Sequence, residues 1–111
     1  MSERIYSVDE IKRIVAPIAT NYDVDRVYLF GSYAKGEATG ASDIDFIIDK
    51  GRLRGLQFAG MLADLQEKFE KNVDLLTFSS LSSNGIHLRF KQKIEKDMVI
   101  IYGELKAAIP V

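Results

Sequence analysis

The feature that most constrains the fold is a pair of short apolar segments, one of which carries acidic residues. Val27–Phe30 is continuously apolar, and Ile44–Ile48 has Asp45 within it and Asp43 directly before it. In a β-strand, alternate residues face the same side, so the two aspartates would lie on one face, about 7 Å apart. Because neighbouring carboxylates repel each other, they favour a divalent cation between them. The sequence therefore predicts two strands with a metal site at one edge.

A Gly-Ser pair ends the first of these segments. Gly31 and Ser32 offer unobstructed backbone N–H groups and a hydroxyl, which suit phosphate oxygens. Metal-binding acids beside a phosphate-binding turn indicate nucleotide chemistry.

Three related motifs fit the same residues less well. Residues 31–36 match the first half of a P-loop, but Glu37-Ala38 stands where that motif needs Lys-Ser/Thr. Asp43, Asp45 and Asp49 have the start of a calcium-loop spacing, yet isoleucines replace its glycine and polar ligands. A D-x-D pair alone is also found in glycosyltransferases, so the combination with Gly-Ser carries the prediction.

The composition predicts one soluble domain spanning residues 1–111. Its 15 basic and 16 acidic residues give a net charge of −1, which provides no overall field for nucleic acid, so direct nucleic-acid binding is not expected. The absence of cysteine excludes disulfides and thiolate metal sites. With no signal-peptide pattern and no apolar run long enough for a membrane span, a cytoplasmic protein without membrane contact is expected.

The first helix is predicted from a capping box. Ser7 and Glu10 have the required spacing, and an apolar stripe at helical spacing follows. Pro17 lies within this pattern, so a kink or an early end near Ala16 is expected. The predicted stripe consists of Ile11, Ile14, Val15 and Ile18.

The longest helix is expected from about Arg54 to Lys71. Gly60 in its middle predicts close packing against a neighbouring element, since an unused glycine there costs about 1 kcal/mol. The stripe is predicted to contain Phe58, Leu62, Leu65 and Phe69, widened by Leu56, Ala59 and Ala63.

Two further strands complete a layered fold of the α/β or α+β class. Val73–Phe78 is predicted as a strand that holds Asp74, and Met98–Tyr102 as the last strand. Between them, a Ser-rich loop over 79–85 and a short helix over 86–95 are expected, and residues 103–111 are predicted to be a loose tail. The result is a small mixed sheet of about four strands with helices packed on it.

Asp74 would supply a third carboxylate if its strand lies beside the strand of Asp43 and Asp45. The alternatives are local ones: Asp43 as a turn-capping residue with Ser42, and Asp74 in an ion pair with a lysine or arginine. Asp45, with apolar residues on both sides, fits a local role poorly.

Other charged residues carry less information. Arg89, Lys93 and Lys96 form a basic stripe at helical spacing, interpreted either as a solvated face or as a contact for an anion or an acidic partner. His87 has no second histidine or cysteine for a zinc site.

The pattern L-F-G-S-Y-A-K-G-E-A…S-D-I-D-F, in a chain of 111 residues, resembles the MNT (minimal nucleotidyltransferase) proteins of the DNA polymerase β-like superfamily. The resemblance implies the nucleotidyltransferase fold. It also implies that Gly31 and Ser32 hold the triphosphate of ATP, that Asp43 and Asp45 bind two Mg²⁺ ions, and that Asp74 is the third catalytic and metal-binding acid. Lys35 stands where the family more often has arginine, which leaves its phosphate role open.

The same resemblance suggests a function. MNT proteins typically pair with a small helical HEPN protein encoded nearby, often as antitoxin to a HEPN toxin, and some add AMP to it. The expected activity is therefore Mg²⁺-dependent transfer of AMP from ATP to a hydroxyl of such a partner. The alternatives are a module that binds nucleotide and neutralises a partner by contact, and a small-molecule nucleotidyltransferase of the aminoglycoside-modifying type.

Overall fold

The computed structural model describes residues 4–49, 53–77 and 98–103. These residues form three helices and four strands, and the sequence predicts all of them except the short helix that follows the first strand. In chain order the elements are α1 (Val8–Tyr22), β1 (Arg26–Phe30), α2 (Gly31–Lys35), β2 (Ile44–Asp49), α3 (Gly55–Phe69), β3 (Val73–Thr77) and β4 (Val99–Tyr102).

Helix α1 begins at the predicted capping box. The Ser7 hydroxyl accepts a hydrogen bond from the Glu10 backbone N–H, and the Glu10 carboxylate accepts one from the Ser7 N–H. Of the two predicted effects of Pro17, the early end near Ala16 does not occur, because the helix continues through Pro17 to Tyr22, and the kink stays a prediction. An interior proline costs about 3 kcal/mol. The turn beyond it buries Ile18 in the core, which offsets much of that cost, since burying one such side chain contributes about 1.5–3 kcal/mol.

Helix α3 has 15 residues, as does α1, so it is not the longest helix. Leu65 and Phe69 of the predicted stripe are buried, and Phe58 and Leu62 are partly buried against the core. Met61, which the prediction omitted, is fully buried.

The predicted widening of that stripe is wrong. Leu56 is 90% exposed, and Ala59 and Ala63 are exposed as well. A helix that lies on one layer of structure buries a single stripe, so the flanking apolar positions stay in solvent.

Gly60 provides the close packing that the sequence predicts. A Cβ atom at Gly60 would lie 2.9 Å from the Tyr22 hydroxyl oxygen of α1, which is too close for a real contact. That hydroxyl donates a 2.7 Å hydrogen bond to Asp64. The missing side chain therefore leaves room for the Tyr22 hydroxyl group, which links α1 to α3 through this bond.

The four strands form one mixed sheet in the order β3-β2-β1-β4. Strand β1 pairs antiparallel with β2 and with β4, whereas β2 and β3 are parallel and are connected through α3. The confirmed fold is a mixed α/β layer with a small sheet.

The sheet has two faces of different character. The helix-covered face joins α1 and α3 in one core, and its strand residues are Val27, Leu29, Ile44, Phe46, Ile48, Val73, Leu75 and Ile101. On β2 and β3, the acid-bearing face is formed by the alternate residues Asp45, Ile47, Asp74 and Leu76. A second small apolar cluster on this face contains Ile47, Phe30, Leu76 and Met98.

Several predictions fall outside the described residues. These are Phe78, the loop over 79–85, the helix over 86–95 with its basic stripe and His87, and the tail beyond Gly103. In the three described ranges, no helix is both long and apolar enough to cross a membrane.

Candidate active site

The antiparallel pairing of β1 with β2 brings the Gly-Ser pair to the first aspartate of β2. Phe30, the last residue of β1, lies opposite Asp45. Gly31 follows with a φ of +72°, and a Cβ atom there would lie 2.5 Å from Asp45 Oδ2. Glycine is therefore required at residue 31 twice over, for its backbone conformation and for the space that the carboxylate occupies.

The parallel pairing of β2 with β3 brings the second and third acids together. Asp45 and Asp74 are register partners, each the second residue of its strand. Because the two residues are neighbours across the paired strands, their carboxyl groups interact directly, and Asp74 raises the pKa of Asp45. The strand of Asp74 therefore lies beside that of Asp45, as the role of Asp74 as a third carboxylate requires.

This arrangement changes the acidity of Asp45. Burial first, then the neighbouring Asp74 carboxyl group, and last the charge of Asp43 together raise its pKa from 3.8 to about 7. A half-buried carboxyl group with two acids near it favours either a proton or a cation. The donor set consists of carboxylate oxygens, which are the ligands that Mg²⁺ prefers.

Asp43 takes a more distant position. It lies just before β2, its side chain is exposed, and it acts on Asp45 through its charge. In the described part of the chain, no group of three or more His, Cys, Asp or Glu side chains is arranged to hold one metal ion. The direct pair is Asp45 with Asp74, and the role of Asp43 as a third ligand stays a prediction.

The Gly-Ser pair begins a short helix rather than a simple turn. Helix α2 starts at Gly31 without a side-chain cap and ends at Lys35, and Gly36 caps it in the left-handed conformation with a φ of +74°. The one sequence signal that could have predicted this helix is Gly36, since a left-handed glycine commonly follows a helix end. Backbone N–H groups at the start of α2 therefore lie beside the carboxylate of Asp45.

Sequence reasoning missed one residue near this site, Lys71. It lies between α3 and β3, is 4% exposed, and donates hydrogen bonds to the carbonyl oxygens of Gly40 and Ser42 in the loop before Asp43. No local pattern distinguishes a buried lysine from a solvated one, so only the fold could reveal it.

Residues 12–106 match the family model described as "Polymerase beta, Nucleotidyltransferase", which is most of the chain. The chain belongs to the polymerase β-like nucleotidyltransferase family.

Two relatives from Methanocaldococcus jannaschii are similar over nearly their full length. "Putative protein adenylyltransferase MJ0435" is 35% identical over 94 residues, which cover 84% of this chain and 96% of that protein. "Putative protein adenylyltransferase MJ0126" is 35% identical over 104 residues, which cover 86% of this chain and 98% of that protein.

Solved structures show the same fold at low sequence identity. One, described as "Crystal structure of the toxin-antitoxin with AMP-PNP", has a TM-score of 0.68 and 19% identity, covering 86% of this chain and 76% of that one. Another is a tri-AMPylated Shewanella oneidensis HEPN toxin in complex with MNT antitoxin, with a TM-score of 0.62 and 17% identity, covering 87% of this chain and 73% of that one.

Proposed function

We propose that this chain is a protein adenylyltransferase that moves AMP from ATP to a hydroxyl group of a small helical HEPN-type partner, as the antitoxin of a toxin–antitoxin pair. The single observation that carries the catalytic part is the Asp45–Asp74 pair, placed beside the start of α2. The pair brings together negative charge that needs a cation and backbone N–H groups that suit a phosphate.

Each residue of the site has a role in this proposal. Asp43, Asp45 and Asp74 would hold two Mg²⁺ ions, which when bound supply positive charge to the triphosphate and to the attacking oxygen. Gly31 and Ser32 would hold the β- and γ-phosphates at the start of α2. Asp74, the most exposed member of its pair, would accept the proton of the acceptor hydroxyl.

The reaction is an in-line displacement at the α-phosphorus. The acceptor oxygen forms a bond to this phosphorus, the bond to the oxygen that bridges the α- and β-phosphates breaks, and pyrophosphate leaves. The residues of the chain orient these groups and hold the transferred proton.

The choice of a protein acceptor is supported by the relatives. Two that are 35% identical are described as protein adenylyltransferases. The structure with a HEPN toxin modified by AMP shows a fold like that of this chain in an antitoxin, which supports the toxin–antitoxin proposal.

The test is to co-express the chain with the product of the neighbouring gene and supply Mg²⁺ with ATP labelled at the α-phosphate. Label should appear on the partner as AMP, and Asp45→Asn should reduce transfer at least about 100-fold, because the site loses a charge that the reaction needs. Asp9→Asn removes an exposed acid in the first turn of α1 and should leave transfer unchanged.

Three outcomes would contradict the proposal in different ways. Failure to bind nucleotide would overturn the enzyme class. Transfer to an aminoglycoside but not to the partner would favour the small-molecule alternative. If Asp45→Asn forms the complex and still neutralises the partner's toxicity, neutralisation acts by contact alone.

A further inference from the structure

The most unusual charged residue of the described structure is Lys71. Its side chain is 4% exposed, and it is the one charged residue classed as buried in the ranges 4–49, 53–77 and 98–103. Lysine is seldom fully buried, because its ammonium group loses hydration there. A long stem usually carries the charged end back to water, so burial of Lys71 calls for a specific partner.

The partners of Lys71 are backbone carbonyls, about 30 residues earlier in the chain. The ammonium nitrogen lies 2.6 Å from the carbonyl oxygen of Gly40 and 3.4 Å from that of Ser42. Charge-assisted bonds of this kind are stronger than neutral ones. Lys71 therefore holds the backbone of the loop between α2 and β2 in place.

That loop also has its own internal bonds. The Ser42 N–H donates to the Thr39 carbonyl at 3.0 Å, and the Ser42 hydroxyl accepts from the Thr39 N–H at 2.9 Å. These bonds make residues 39–42 a compact turn. Lys71 binds the carbonyl oxygens of Gly40 and Ser42 within this turn, so the turn is held as one unit.

The residue after Lys71 holds the other side of Asp43. The Ile44 N–H donates to the Asn72 carbonyl at 3.2 Å. Asp43 thus lies between two residues, Ser42 and Ile44, that are both bonded to the segment 71–72. The same segment continues into β3, which carries Asp74 two residues further on.

We propose that Lys71 is a positioning residue that fixes the distance between Asp43 and the Asp45–Asp74 pair, and thereby sets the affinity of the site for a divalent cation. This inference rests on the proposed function of the three acids. Lys71 touches no substrate in this arrangement; it acts through the backbone on both sides of Asp43.

Stability alone gives little reason for a buried ammonium group here. A methionine would bury a similar stem without desolvating a charge, and replacing buried charges by apolar groups is often neutral or stabilising. The loop that Lys71 binds has exposed residues, among them Ala41 and Asp43. The charge is therefore better explained by the position that it gives to Asp43.

The test compares Lys71→Met with Lys71→Arg, and with Lys68→Met as the matched control on an exposed lysine in the last turn of α3. Binding of Mn²⁺, as the metal alone and with a non-hydrolysable ATP analogue, is followed by electron paramagnetic resonance. Amide hydrogen exchange is measured over residues 39–44 and over α1.

We expect Lys71→Met to weaken Mn²⁺ binding about tenfold, the size of effect seen when a group that orients a metal ligand is removed. Exchange over 39–44 should accelerate while exchange over α1 stays unchanged. Lys71→Arg should restore most of the Mn²⁺ binding and most of the protection of residues 39–44 from exchange. Lys68→Met should match the unmodified protein in both measurements. If Lys71→Met does not fold, Lys71→Gln, which keeps an N–H donor without the charge, takes its place and should show the same weakened binding.

The proposal is overturned if Mn²⁺ binding is unchanged in Lys71→Met, if exchange rises equally over α1, or if Lys71→Arg restores nothing. Failure of the proposed function looks different. A chain that transfers AMP to no acceptor, but whose Mn²⁺ binding and local exchange depend on Lys71, would refute adenylylation and keep the role of Lys71.

Discussion

The two faces of strand β2 are built for different purposes. Ile44, Phe46 and Ile48 face the helices and are fully buried, whereas Asp45, between them in sequence, faces the other way and is only half-buried. On the helix-covered face, each side chain contributes apolar burial. On the acid-bearing face, the carboxyl groups of Asp45 and Asp74 lie side by side in adjacent strands, next to the fully buried Ile47. The apolar burial of the helix-covered face therefore offsets the free-energy cost of holding two acids side by side on the other face.

The largest expected effect concerns the helix-covered face. Phe46 has no exposed surface, and its ring lies 6.1 Å from that of Phe69, centroid to centroid. Phe46→Ala should lower the free energy of unfolding by about 3–5 kcal/mol, measured by urea denaturation, because it leaves a cavity in the core. Leu76→Ala, at a partly buried residue of the acid-bearing face, should cost less than half as much. Equal losses would show that the two faces do not differ in this way.

The second prediction concerns the point where the Gly-Ser pair meets the acids. Gly31→Ala should cost about 2–3 kcal/mol of stability and abolish AMP transfer, because the new methyl group meets the Asp45 carboxylate in a strained backbone conformation. Gly36→Ala is the matched control: its φ is +74°, but open space surrounds it. It should cost about 1 kcal/mol and keep transfer.

The difference between these two variants isolates the contact with Asp45 from backbone strain. If they behave alike in denaturation and in transfer, the space beside Asp45 has no special importance.

The smallest expected effect is the dependence of stability on pH in the metal-free protein. With its pKa at about 7, Asp45 retains its proton in the folded protein at pH values where the unfolded chain, with a pKa of 3.8, has lost it. The folded state then binds more protons, so the free energy of unfolding falls as pH rises from about 4 to 7. Solvent screening of this half-exposed group limits the loss to about 1–2 kcal/mol.

Asp45→Asn should remove this loss. Its amide can donate to the Asp74 carboxylate without a second charge, so metal-free Asp45→Asn should melt at a higher temperature than the original protein at pH 8 and at the same temperature near pH 4. Asp43→Asn, which removes only a more distant charge, should show a smaller gain. If the melting temperatures of Asp45→Asn and the original chain change with pH in the same way, Asp45 carries no uncompensated charge at this site.

Much of the fold was predictable because its signals are local. The capping box at Ser7 and Glu10 and the apolar segments of all four strands are readable from neighbouring residues, and all are confirmed. The errors concern burial, the end of α1 and the short helix α2, which was not predicted. Pro17 does not end α1, and Leu56 is exposed, because packing against other elements, rather than local pattern, decides both.

The available chemistry follows from the residue types alone: which residues carry carboxylates, and that Gly31 precedes a serine after an apolar strand. The tertiary structure decided which of these groups meet. Strand pairing places Asp74 opposite Asp45, and the chain reversal after β1 brings Gly31 against the same carboxylate. It also brought the ammonium group of Lys71 to the carbonyl oxygen of Gly40, in the loop that carries Asp43. The physical reason is that strand register and the burial of a charge depend on residues far apart in the chain, which no local pattern records.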